Sequence, residues 1–487
     1  IGADSMASRL LGANPLSASE DYGAVEKVKL DHPGNGIYLT AGIIVADVVG
    51  AGILSMAVAI AKFGWLLGTV LAIVLLGMNV HVSIIVWRVR MSCKRVPHTY
   101  TELAIYSFED APPAQQRLIR LITVVMQQFL IAGFLGVYTL SLGKAFGMIF
   151  YDVHWCLPVW TLIGCLFTLP FIGSARKLGK WKSLIWLNCA SILVTVIVPL
   201  WVMSQDGLDK TRIEGGTYLP VEKLSLGGVL SGLNIMIFSF TSQFMLVEIM
   251  AEMENAADFP NSYMYISAPF QAVVFLICGV GGYYFRGSLV HGIIVDNIPF
   301  GRWFQVAAAM LIIHMVITWV IKGIVVCRQM QHSFLPEHAD DGSITGWINW
   351  VQLVSATMAF AYLIAQIIPF FVDLIDLLGA SLTPIVCFVL PIAFYCRQLK
   401  DTIKKEDHPG YFESVAIALE LLLSAVLFFV GTYLALTNIV DSWKTYGYPF
   451  DCHCQNLWRT CACSAAHPGM DHCEKEVTSF ALRALMS

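Results

Sequence analysis

Charge is what this sequence has little of. Asp, Glu, Lys and Arg make up 13% of its 487 residues, against about 25% in soluble domains. Hydrophobic residues make up 57%, and mean hydropathy is +0.68. That balance excludes a water-soluble globule and assigns the chain to a lipid bilayer. The net charge of −4 supplies neither a basic surface for nucleic acid nor a steering field. Period-two alternation is missing, which excludes a transmembrane β-barrel. No H-E-x-x-H, no phosphate loop and no clustered nucleophile and base occur, so neither an enzyme nor a cofactor is implied. A short repeated filter segment of the channel kind is also absent. Residues 1–35, with "SASEDYGAVEKVKLDHPGNG", lack the apolar stretch of a signal peptide and read as a polar, mobile tail.

What is there is long apolar runs. A spanning helix needs about 20 mostly apolar residues. Such stretches lie near 37–62, 64–88, 119–148, 156–173, 183–204, 225–249, 264–285, 303–327, 346–371, 374–396 and 412–440. The reading is an all-α polytopic membrane protein of eleven spans. It comprises a tail at 1–35, a transmembrane domain at 36–440 and a cysteine-rich tail at 441–487. Only "KFGW" separates the first two spans, predicting a tight helical hairpin. Placing the N-terminus in the cytoplasm puts nineteen of the thirty Lys and Arg residues inside, Lys322 among them. Eleven spans then leave the C-terminus extracytoplasmic or lumenal. No N-x-S/T sequon offers an independent marker of sidedness.

The last tail reads "DCHCQNLWRTCACSAAHPGMDHC". In an oxidising compartment Cys452, Cys454, Cys461, Cys463 and Cys473 are disulfide candidates, with Cys156 at the outer end of span four as a partner for the odd one. Zinc is the rival, since His453, His467 and His472 lie among them. The C-x-C spacing does not match paired zinc knuckles, however, and no metal site is assigned.

Three spans carry unexpected polarity. The first, "GIIVADVVGAGILSMAVAIAKFGW", holds Asp47, Gly50 and Gly52 at membrane depth. Glycines permit helix interruption, whose freed N–H groups hold an anion and whose freed carbonyls hold a cation. Close helix packing is the alternative reading of the glycines. A carboxylate at this depth is a functional candidate by default. In the sixth span Asn234, Ser239, Thr241, Ser242 and Gln243 cluster, and Glu248 follows near the inner end. In the eighth, His314 and Thr318 share a face that Lys322 continues. His81, alone in span two, reads as a packed histidine. Polar, interruptible helices five spans apart match inverted five-helix repeats with a site between them.

These residues resemble a known family. "VGAGILSMAVAIAKFGW" is similar to the first helix of the amino acid/auxin permease family, and "IFSFTSQFMLVEIMAEMENAADFP" to its sixth. "LIIHMVITWVI" resembles the eighth, and "LLGASLTPIVCFVLPIAFY" the tenth. The resemblance runs from about Gly36 to the early 440s. It implies a LeuT-type fold of eleven helices, ten of them in 5+5 inverted repeats with helices one and six broken. It implies secondary transport of amino acids or related carboxylates, often proton-driven. Carried over, Gly50, Ala51, Gly52 and Ile53 would receive the substrate carboxylate. Phe238, Ser239, Phe240, Thr241 and Ser242 would line its side chain. Two departures stand out. Thr241, Ser242 and Gln243 replace glycines and a histidine, which makes a wide break of helix six harder. Asp47 stands where a small residue is usual.

The leading expectation is therefore a proton-coupled transporter of amino acids or small organic acids working by alternating access. Asp47 is the coupling group, with Glu248, His314 and Thr318 behind it. Sodium is left open, through an oxygen site made by carbonyls near Val49 with Thr318. The alternative is a transporter fold kept as a structural subunit of a larger membrane complex with partner subunits.

Overall fold

The computed structural model describes residues 34–151, 153, 155–174, 176, 182–206, 216–334, 342–401, 408–446 and 448–450. The five tail cysteines lie outside the described residues. Cys156 is described, but it is not among the free thiols. Among the described residues every regular element is helical, apart from an isolated bridge at Asn35 and Met253.

The chain enters α1 (Ile37–Val48), breaks, and resumes as α2 (Ala51–Leu54) and α3 (Met56–Ala61). The face where Ile37 begins is the near face; Lys62 lies toward the far face. The predicted hairpin is present. Gly64 takes φ +91°, which favours glycine, and the amides of Trp65 and Leu66 bond the carbonyls of Leu219 and Pro220 at 3.0 Å each. From there α4 (Trp65–Ser92) returns to the near face, where α5 (Tyr100–Ser107) is a short helix. Thr99 caps α5 by accepting from the Glu102 amide at 3.1 Å, and Glu102 accepts from the His98 amide at 2.7 Å. This is close to the reciprocal cap that a T-x-x-E sequence favours.

Long helices follow: α6 (Pro113–Ile149), α7 (Leu157–Gly173) and α8 (Lys182–Asp206). The sixth span divides into α9 (Leu226–Phe240) and α10 (Leu246–Ala251). Next come α11 (Ala268–Arg286), α12 (Arg302–Phe334) and α13 (Ile344–Ile367). The tenth span is α14 (Phe371–Ala380) and α15 (Leu390–Asp401), joined through a π-helical turn. The last is α16 (Tyr411–Val426) and α17 (Thr432–Tyr446). Among the described residues nine segments are long and apolar enough to cross a bilayer, with Ile37–Val48 and Leu157–Gly173 as shorter apolar helices. Together these account for the stretches expected from the sequence.

Burial separates centre from rim. The most apolar window of Leu226–Ala251 is 89% buried and that of Arg302–Gln331 83%, against 22% for Tyr411–Lys444. The sixth and eighth spans therefore form the middle of the bundle, and the eleventh faces lipid. Its exposed side chains include Phe412, Leu419, Leu422, Phe429 and Tyr433, as a lipid-facing surface requires.

On the near face the chain is stitched ahead of α1. Asn35 N bonds the Glu252 carbonyl at 2.8 Å, and Glu254 N bonds the Asn35 carbonyl at 3.0 Å. A Cβ on Gly34 would lie 2.5 Å from Glu254 Cα, so only glycine allows this approach.

Candidate substrate site and coupling residues

The first break begins at Val49 (φ −78°, ψ 64°), continues through Gly50 (φ −112°, ψ −136°), and leaves Gly50 N on the Val48 carbonyl at 2.8 Å. The amides of Ala51 and Gly52 open the next helix and have no carbonyl a turn behind them. The two glycines do different work. A Cβ on Gly52 would lie 2.5 Å from Ser239 Cα, whereas one on Gly50 would meet the Tyr138 hydroxyl at an ordinary 3.5 Å. Gly52 thus serves the close packing of helix one on helix six. Ile53 is fully buried, and its carbonyl accepts from Cys278 Sγ on α11 at 3.2 Å.

Helix six breaks without glycine. Thr241 is extended (φ −77°, ψ 127°), Ser242 follows at φ −143°, and a 3-10 turn over Gln243–Met245 leads into α10. The expected break is present although glycine is lost, and side chains hold it. Thr241 Oγ1 donates to the Ile237 carbonyl at 2.7 Å and Ser239 Oγ to the Ile235 carbonyl at 2.6 Å. Gln243 Oε1 accepts from Ser242 N at 3.1 Å, and its Nε2 donates to the Asn79 carbonyl at 3.0 Å. Gln127 Nε2 reaches the Phe244 carbonyl at 2.8 Å. An unpaired backbone group at this depth is costly. These hydroxyls and amides fill that need.

Asp47, two residues before the first break, is ion-paired with Lys322 of α12. Both side chains are buried, at 1% and 0% exposure. Lys322 Nζ lies 4.9 Å from the ring centroids of both Phe134 and Phe244, and 3.6 Å from Met245 Sδ. Phe134 in turn stacks on Phe238 at 4.4 Å and on Phe244 at 5.3 Å. Counting Lys322 with the inner loops is corrected here: it is inside the membrane domain. Asp47 Oδ2 and Ser55 Oγ are buried without a hydrogen-bond partner. Losing either member of a buried pair strands the other charge, at about 3–5 kcal/mol.

The remaining expected residues are dispersed. His314 Nδ1 is 3.2 Å from the Asn188 carbonyl on α8. Thr318 Oγ1 donates to the His314 carbonyl at 2.8 Å and lies 3.3 Å from Asn188 Nδ2. Asn188 Nδ2 also reaches the Ala46 carbonyl at 3.3 Å, so Thr318 is linked to helix one through Asn188. Glu248 Oε1 accepts from the Tyr100 amide at 2.9 Å, on the near face. Phe240 points away, meeting Phe275 of α11 edge-on at 4.9 Å. The structure thus gathers Asp47, Gly50, Ala51, Gly52, Phe238, Ser239, Thr241 and Ser242 around the two breaks, and leaves Phe240, Glu248, His314 and Thr318 outside.

Phe134 and Tyr138 of α6 join the site, and sequence reasoning missed both. Two further buried carboxylates were also passed over. Asp376 of α14 accepts from Asn234 Nδ2 at 2.6 Å, and Glu420 Oε1 of α16 lies 2.8 Å from His81 Nδ1. Their signal was available, since both stand in apolar spans. Among the described residues no group of three or more His, Cys, Asp or Glu side chains is placed to hold a metal ion.

Comparison with known proteins follows from this geometry. The profile of the family described as "Transmembrane amino acid transporter protein" matches residues 36–437. The chain is 22% identical over 420 residues to "Amino acid transporter AVT3C" of Arabidopsis thaliana, covering 82% of this chain and 90% of that protein. It is 23% identical over 319 residues to the human "Vesicular inhibitory amino acid transporter", covering 61% of this chain and 56% of that one. Among solved structures it resembles Mhp1, a nucleobase-cation-symport-1 family transporter closed around bromovinylhydantoin. That match has a TM-score of 0.51 and 15% identity, over 85% of this chain and 93% of the other. It also resembles MhsT in complex with L-phenylalanine, with a TM-score of 0.52 and 12% identity, over 83% and 98%. Both are LeuT-type folds, so the architecture is shared. With the profile match covering most of its length, this multi-pass membrane protein belongs to the amino acid/auxin permease family of transmembrane amino acid transporters.

Proposed function

We propose that the chain is a proton-coupled secondary transporter of amino acids or related small carboxylates, working by alternating access. Family membership supports the amino acid class. The observation that carries the site is the meeting of the two helix breaks, with Gly52 packed on Ser239. The substrate carboxylate takes the amides of Ala51 and Gly52, because a helix N-terminus favours an anion. Phe238, stacked on Phe134, borders the substrate side chain, and Ser239, Thr241 and Ser242 present hydroxyls beside it. Asp47 is the coupling group, alternating between carboxylate and carboxylic acid as the bundle turns. Glu248 acts at the near face by holding α5. His314 and Thr318 act through Asn188 on the α1 backbone.

In this reading the N-terminus is cytoplasmic, so the near face is the inner one. The tail after α17 is extracytoplasmic or lumenal, and its cysteines form disulfides that include Cys156.

The test is uptake by the purified chain in liposomes, with a panel of amino acids and with and without a pH gradient. Saturable uptake driven by an inward proton gradient is expected. Asp47→Asn should abolish the pH-driven component while leaving substrate exchange. Gradient-driven uptake that survives this change would remove Asp47 from the coupling role.

A further inference from the structure

We propose that Lys322 is the resident cation of this transporter: its ammonium fills the cation seat beside the broken first helix, so transport needs no sodium.

The surroundings of Nζ are those of a cation site. Around it stand the Asp47 carboxylate, the faces of Phe134 and Phe244 at 4.9 Å each, and Met245 Sδ at 3.6 Å. Each presents negative charge, π density or a lone pair, which is the complement of an ammonium. These groups come from α1, α6 and the start of the second half-helix of span six. The seat is therefore formed by both breaks, although the ammonium itself arrives on α12.

Two oxygens that a free alkali ion would use already accept a hydrogen bond. A metal ion at an interrupted helix needs several oxygens, drawn from the unwound backbone and a facing helix. The Ala46 carbonyl and Thr318 Oγ1 each accept from Asn188 Nδ2 at 3.3 Å. The ammonium alone would cost a second cation about 5 Å away roughly 250-fold in affinity by repulsion at an effective dielectric of about 20, which the Asp47 carboxylate partly offsets. The chain's own ammonium and an imported sodium ion are thus alternatives for one position.

A proton is the co-substrate that this arrangement accepts. Asp47 Oδ2 has no partner, so a proton can add there, turning the ion pair at Oδ1 into a hydrogen bond from the ammonium to a neutral acid. The titratable groups facing the pair are few. Tyr138 of α6 and Tyr263 of the turn before α11 are in electrostatic reach of Asp47, and Cys387 between α14 and α15 is in reach of Lys322. His314 stands about two turns along α12, with Nδ1 on the Asn188 carbonyl.

The inference rests on the transport reading for one arm of its test and is independent of it in the other. In the first arm, wild-type protein in liposomes takes up amino acid at a rate changed less than about twofold when N-methylglucamine replaces sodium. In the second, no transport is measured. Thermal stability of Lys322→Ala in detergent is followed with sodium or ethylammonium at about 100 mM. The vacated seat should bind one of them, raising the melting temperature of Lys322→Ala but not of wild type or of Asp47→Asn/Lys322→Ala. Should the alanine variant fail to fold alone, its yield of folded protein with ethylammonium present throughout purification gives the same reading. Sodium-dependent wild-type uptake overturns the inference, as does a folded variant indifferent to both cations. Absence of all wild-type uptake beside a cation response of Lys322→Ala would instead defeat the transport reading.

Discussion

Gly52 lies on Ser239 so closely that a methyl group has no room: its Cβ would stand 2.5 Å from Ser239 Cα and 2.6 Å from Ser239 Oγ. The nearest obstacle is backbone, so rotating a side chain does not relieve it. Gly52→Ala must push helix one from helix six. It should lower uptake at least about tenfold with the protein still folded. Gly50→Ala, which meets only van der Waals contacts, should cost clearly less. Initial rates for the two variants at equal liposome content decide the order. Equal losses would mean that the close contact is not what holds the site.

Thr241 replaces a glycine of the family pattern and holds the break with its hydroxyl on the Ile237 carbonyl. Thr241→Ser keeps that bond and should stay within about threefold of wild-type uptake. Thr241→Val keeps the shape and strands the carbonyl, costing about 1–3 kcal/mol. A lower melting temperature and reduced uptake for valine alone is the expected pattern. Indifference to both changes would show that the backbone holds the break unaided.

Glu248 ties α10 to the first turn of α5 through the Tyr100 amide. Glu248→Gln keeps an acceptor oxygen and should leave near-face access unchanged. Glu248→Ala removes it and should speed labelling of a cysteine placed at Tyr106 by a water-soluble maleimide, by about fivefold or more. The same labelling rate in both variants would take this contact out of the near-face closure.

His81 and Glu420 bind the outermost helix to α4. One helical face also carries Arg88, and Arg88 Nη1 lies 2.5 Å from Glu413 Oε1. Both pairs are spaced seven residues apart, about two turns, so they form two rungs. Glu420 is 1% exposed, and Glu420→Ala should destabilise by about 1–3 kcal/mol. His81→Leu/Glu420→Leu should recover much of that, since an apolar pair of similar volume often replaces a buried polar pair without loss. Thermal melts in one detergent measure both. A double variant worse than the sum of its singles would contradict the two-rung picture.

Much of this molecule was legible in its sequence, for physical reasons. Membrane helices must satisfy their backbone internally and face lipid with apolar side chains, so hydropathy alone locates the spans. The breaks at Gly50 and Thr241 lie where polarity interrupts that pattern. Asp47 was legible because an intramembrane carboxylate is conspicuous. Its partner was not: Lys322 stands near one end of a long apolar run, where lysines usually reach water. Phe134 and Tyr138 carry no signal among so many aromatics, and only packing brings them to the breaks. Helix six breaks as expected, but not through glycine. The absence of glycine was expected to make a wide break harder; what the backbone requires is partners, and Thr241, Gln243 and Gln127 provide them.

The bridge that joins Asn35 to the segment after α10 lies far from the site, yet in the proposed alternating-access cycle it would constrain how the site opens. It fastens the near end of α1 to the near end of α10, and Gly50 and Thr241 are the points where those two half-helices part from their other halves. Two hinges fastened at one end do not swing separately. In that cycle, whatever turned one near-side half-helix would carry the other with it, so the two interruptions would share a single degree of freedom.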